Sequence, residues 1–124
     1  MKLFNHNISF GLLFIELVED EFDQGFIAVF EDFQKSLDEL KTKKSLRPVK
    51  FLYKFLFCGI NAQNEIDGKE KISINDARNI FEAYGLNHKD TSVMIQEMAQ
   101  SIKVVFGESE EPVKKSPAKK KKKK

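Results

Sequence analysis

The stretch QNEIDGKEKISI, from Gln63 to Ile74, is where oxygen-bearing side chains come closest to the spacing a metal could use. With Gly68 in the glycine position of a calcium-binding helix–loop–helix, the ligands would be Gln63, Glu65 and Asp67. The closing position, which needs a bidentate carboxylate, is Ile74, and the position normally apolar is Glu70. The pattern fails at the residues that would hold the ion, so the expectation is an exposed polar loop and no metal. His6 and His88 stand in separate polar turns, neither beside a Cys or Ser it could activate, and read as lone surface histidines. Cys58 lies in an apolar run and reads as a buried, inert thiol; as the single cysteine it leaves no disulfide and no zinc set. The pairs Glu31/Asp32 and Asp38/Glu39 belong to the polar face of a helix, where nothing isolates them from water as a general acid would require. None of the glycines forms a phosphate-binding loop. These residues predict a protein that is not an enzyme and uses no cofactor.

The elements that would position these side chains are mainly helical. Residues 2 to 10 allow a short N-terminal β-strand or hairpin. Phe10, Leu13, Phe14, Leu17 and Val18 share a helical face, which predicts a helix from Gly11 to Glu21, with DEFDQG as a turn. Phe26, Phe30, Phe33, Leu37 and Leu40 make the next face, opposite Glu31, Asp32, Lys35, Asp38 and Glu39. From Val49 to Ile60 the chain is apolar almost all round, which marks a central helix, with Pro48 in its first turn. Gly59 within it suits the close approach of a neighbouring helix. An exposed loop is expected over Asn61 to Lys71. Ser73 and Asp76 then have capping-box spacing, with Ile72 and Ala77 placed as a hydrophobic staple. Gly85 supplies a left-handed stop, with Leu86 folding back on Phe81. A last helix runs from Asp90-Thr91-Ser92 to Phe106, with Met94, Ile95, Met98, Ile102 and Val105 on its buried face. The expected architecture is a single small, mainly α domain of about five helices over residues 1–106, followed by a disordered lysine-rich tail over 107–124.

Twelve phenylalanines in 124 residues raise the question of where they all go. Phe51, Phe55, Phe57 and Phe81 read as core. Phe26, Phe30, Phe33 and Leu37 are either core as well, the ordinary fate of an aromatic stripe, or a partly covered stripe that binds a partner's helix or strand. The net charge of +2 hides an asymmetry: from Gly107 on there are eight lysines and three glutamates, net +5, so the preceding body carries −3. An acidic body without a recognition motif does not suggest nucleic acid, and only weak, non-specific contact through the tail is expected. Glu16 interrupts the apolar run near the N-terminus, and Lys50 and Lys54 interrupt the central one, so neither reads as a membrane segment and a soluble, cytosolic protein is expected.

The order of these segments resembles a family. FGLLFIELVE, FLYKFLFCGI and ISINDARNIFEAYG stand where the tail assembly chaperones of long-tailed bacteriophages have an "FxFGALxxLE"-like opening, an "LLYAGL"-like central helix and a helix that begins "LTxEEV" and ends at a glycine. The resemblance covers residues 8 to 106 as a match of pattern and order. It implies a non-enzymatic protein that binds the tape-measure protein, the tail tube protein or both during virion tail morphogenesis, in the cytoplasm of the infected host cell and absent from the mature virion, with self-association an open alternative. It carries over no catalytic residue.

The resemblance also bears on Lys119, Lys120, Lys121, Lys122, Lys123 and Lys124. Many genes of this family are read in two frames by ribosomal frameshifting, and slippage requires a run of identical bases. Lysine codons are AAA or AAG, so this stretch must be encoded by adenine-rich sequence. The alternative reading is a small nucleic-acid-associated protein that acts through its lysine tail, a use that would weaken steeply with salt. A third is a domain carrying a solubilising lysine tag.

Overall fold

The computed structural model describes residues 1–42, 45–85 and 88–107. A two-stranded antiparallel hairpin opens the chain, β1 (Lys2–Leu3) and β2 (His6–Asn7), with Lys2 opposite Asn7 and Leu3 opposite His6. Five helices follow: α1 (Leu12–Phe22), α2 (Phe26–Thr42), α3 (Arg47–Ile66), α4 (Ile74–Tyr84) and α5 (Lys89–Phe106). Among the described residues the fold is thus mainly α, as expected.

The hairpin turn places Phe4 and Asn5 at φ of 54° and 63°, the positive pair that a two-residue hairpin loop requires. Phenylalanine is an unusual residue there, and burial holds it. The Phe4 ring is fully covered and lies 6.0 Å from that of Phe81, 5.5 Å from Tyr84 and 5.8 Å from His88. Its N–H donates to Asp90 Oδ2 at 2.8 Å, and its carbonyl accepts from His6 Nδ1 at 2.8 Å. The hairpin is therefore pinned to the start of α5.

α3 is the central helix, packing against α1, α2, α4 and β2. Pro48 sits in its first turn. Aromatic rings join the layers: Phe14 meets Phe26 at 5.8 Å, Phe22 stacks on Phe51 at 5.4 Å, and Phe33 packs edge-on to Phe55 at 5.4 Å. Gly59 does permit a close approach, but the neighbour is the extended segment leaving β2 rather than a helix. A Cβ on Gly59 would stand 2.5 Å from Ile8 Cγ2, and the Gly59 carbonyl accepts from the Ser9 N–H at 3.2 Å.

α1 runs to Phe22, and the turn behind it is made by Asp23 in left-handed conformation. α2 then starts with the Phe26 N–H donating to Glu19 Oε2 at 2.8 Å. The expected exposed loop from Asn61 is corrected. α3 continues to Ile66, and its polar end holds the returning chain. Asn61 clamps Ile72 with both ends of its amide, Nδ2 donating to the carbonyl at 3.1 Å and Oδ1 accepting the N–H at 2.8 Å. Asn64 Nδ2 donates to the Glu70 carbonyl at 3.1 Å. These amides are polar because they satisfy loop backbone, not because they face only water.

The capping box of α4 is present in both directions, Asp76 N–H to Ser73 Oγ at 3.1 Å and Ser73 N–H to Asp76 Oδ2 at 3.0 Å. Gly85 has positive φ, 83°, but ψ of 163° takes it outside the left-handed helical region. The return of Leu86 onto Phe81 lies outside the described residues. α5 begins at Lys89, capped by His88, whose Nδ1 accepts from the Asp90 N–H at 3.1 Å. Along α5, Met94 and Met98 are fully buried and Ile95 and Ile102 partly so. Val105 is exposed, a correction; Ser101 is covered instead, its hydroxyl donating to the Phe10 carbonyl and reaching the Glu97 carbonyl at 3.0 Å. The tail beyond Gly107, expected to be disordered, lies outside the described residues.

Candidate functional site

The residues with chemical potential are dispersed. Gln63 and Glu65 belong to the last turns of α3, where Gln63 Nε2 donates to Asp67 Oδ1 at 3.1 Å and Glu65 pairs with Lys71 at 3.2 Å. No group of three or more His, Cys, Asp or Glu among the described residues could hold a metal ion. Glu39 pairs with Arg47 at 2.8 Å. Cys58 is buried, and its thiol is pushed up to about 12, first by burial and then by the charge of Glu21. At neutral pH it is a protonated thiol, not a nucleophile. The histidines are not the bland surface residues they seemed: His6 closes the hairpin turn, and His88 caps α5 while packing on Tyr84 at 5.0 Å.

The partner-binding stripe is also relocated. Phe26, Phe30 and Phe33 are buried against α1 and α3, which corrects the partly covered alternative and leaves them in the core. Burying three such rings is worth roughly 5–9 kcal/mol, comparable with the whole stability of a small domain, so they are not available to turn outward. Of the four residues only Leu37 is exposed, because Ser36 takes the covered position beside it, its hydroxyl donating to the Phe33 carbonyl at 2.6 Å. Lys119 to Lys124 lie outside the described residues.

An open apolar groove lies elsewhere, between the first half of α3 and α4. It has a volume of about 570 Å³ and is lined by Leu46, Val49, Lys50 and Tyr53 on one side and by Arg78, Phe81, Glu82 and Gly85 on the other. Each bank is one helical stripe at i, i+3, i+4 and i+7, so the groove runs for about two turns, roughly 10 Å at 1.5 Å per residue. Phe81, 4% exposed, forms the floor, and Leu46, 64% exposed, stands at the lip. The Arg78 guanidinium lies over the Tyr53 ring at 5.2 Å and donates to Asn75 Oδ1 at 2.7 Å, bridging the banks. In the sequence these residues do not stand out, because Val49 and Tyr53 merge into the apolar central run and Leu46 sits in the basic stretch before Pro48. Only the placement of α4 shows which part of that run stays uncovered.

A second hollow, about 400 Å³ and more polar, lies where the chain enters α1, lined by residues that include Met1, Ser9, Phe10, Glu97, Gln100, Val104 and Val105. No helix among the described residues is long and apolar enough to cross a membrane. No family model, curated protein or solved structure matches the chain.

Proposed function

We infer that this protein is a non-enzymatic tail assembly chaperone of a bacteriophage. It binds the tape-measure protein, the tail tube protein or both before they assemble, in the cytoplasm of the infected cell, and is left out of the finished virion. The observation that supports this reading best is the open apolar groove between α3 and α4, an uncovered two-turn strip beside an otherwise buried core. Such a strip suits shielding of a partner's apolar helix, the mode in which short amphipathic segments are recognised. The order of FGLLFIELVE, FLYKFLFCGI and ISINDARNIFEAYG supplies the phage context by resemblance. The lysine codons add a second product, made when ribosomes slip on the adenine-rich end of the gene.

The test is to look for a very long helical open frame immediately downstream and to co-express its product, the expected tape-measure protein, with the chain. The chain should move that protein from the pellet into the soluble fraction and co-purify with it. If the downstream protein is soluble alone, or aggregates equally with the chain present, the reading fails. Mass spectrometry of the products should find a peptide that crosses from the lysine run into an overlapping frame. A gene without an adenine slippery run, or without an open overlapping frame, removes the frameshift.

A further inference from the structure

The groove has a charge as well as a shape. Residues 41 to 54 carry six cations, Lys41, Lys43, Lys44, Arg47, Lys50 and Lys54, and no acid. The rest of the chain before Gly107 carries 7 basic and 16 acidic residues, a net of −9. One basic segment therefore stands out of an acidic body; Arg47 and Lys54 pair with Glu39 and Glu21, and Lys50 is the cation that this segment gives to the α3 bank of the groove. Lys50 is exposed at that bank and forms no salt bridge among the described residues. Arg78 lies on the opposite bank, and Glu82 contributes the single negative charge of the lining.

We propose that this groove receives an amphipathic helix of a partner protein that sets large aliphatic residues into the trough and carries acidic residues along its flanks. The proposal rests on the binding role inferred above and gives it a place and a partner chemistry. Leu46, Val49, Tyr53 and Phe81 offer the apolar bed over two turns, which matches a ridge at i, i+3, i+4 and i+7 on the incoming helix. Lys50 gives the α3 bank an uncompensated positive charge, while Arg78 shares the α4 bank with Glu82, so glutamates or aspartates beside the ridge meet a net positive lining that is set chiefly by Lys50. Phosphate chemistry fits less well, because the bed between the cations is apolar and contains no backbone cradle.

The probe is a synthetic helical peptide of about 15 residues, near the minimum for helix formation, with a leucine ridge and glutamate flanks. A second peptide replaces the glutamates by lysines. Titrated against the full chain, the acidic peptide should bind more tightly, by roughly tenfold at low salt, with the gap closing as salt rises. Lys50→Glu and Arg78→Glu, both at exposed positions, should reverse that preference while circular dichroism stays unchanged. Equal binding of the two peptides, indifference to both substitutions, or displacement of the acidic peptide by a short DNA duplex would overturn the proposal. The tape-measure partner separates the two ideas. If it binds and Lys50→Glu changes nothing, the groove falls while the chaperone stands. If the acidic peptide binds as described and the tape-measure protein does not, the groove stands without the chaperone.

Discussion

Cys58 shows how burial disarms a reactive group. Its side chain lies in the aromatic core with α1 alongside, and the thiol is held at about 12 by burial and by Glu21, against 9.0 for a free thiol. The folded state therefore holds this proton more tightly than the unfolded state. The resulting stabilisation is complete below pH 9 and disappears as pH rises from about 9 to about 12. Two outcomes follow. Alkylation by a thiol reagent at pH 8 should be at least about a hundredfold slower in the native protein than in urea, because both thiolate fraction and access are reduced. Urea denaturation from pH 8 to 11 should show stability falling with pH, and Cys58→Ala should flatten part of that slope. A native thiol that labels as fast as the unfolded one would mean that Cys58 is not covered by α1.

At the scale of elements, the joint between α3 and α4 depends on one amide. Asn61 both donates to and accepts from the backbone of Ile72, so Asn61→Ala leaves a partly buried N–H and carbonyl without partners. The expected cost is about 2–3 kcal/mol of global stability, read as a lower urea midpoint, and Asn61→Asp should recover only the half that accepts from the Ile72 N–H. Local hydrogen exchange at Ile72 should rise first. This joint also explains what could be read from sequence and what could not. Helix faces such as Phe26, Phe30 and Phe33, and the Ser73–Asp76 capping box, are written in spacings of three and four, within reach of local periodicity. The role of Asn61 is not, because its partner lies eleven residues away and its polarity mimics a loop. His88 misled in the same way: a capping ring packed under Phe4 needs knowledge of where the hairpin returns. The groove was least legible of all, since Val49 and Tyr53 look like core until α4 is placed and leaves them half covered, with Leu46 exposed at the lip.

The whole molecule divides by charge rather than by fold. Every core residue among the described ones lies before Gly107, whereas the eight lysines beyond it carry a charge opposite in sign to that of the body. Truncation after Gly107 removes none of the described core residues and should leave the thermal midpoint within a degree or two. It should also take net charge from +2 towards the acidic value of the body and reverse retention on ion exchangers at neutral pH. Binding of duplex DNA by the full chain should weaken with salt, with a logarithmic slope no steeper than about −7, the limit set by eight lysines at about 0.9 each. The truncated chain should show no such binding, while still taking the acidic peptide through Lys50 and Arg78 on the banks of the groove. DNA binding that survived truncation would instead locate phosphate recognition in the basic segment 41 to 54. The groove, with its apolar bed, would then have to be read as the edge of a nucleic-acid surface rather than as the seat of a helix.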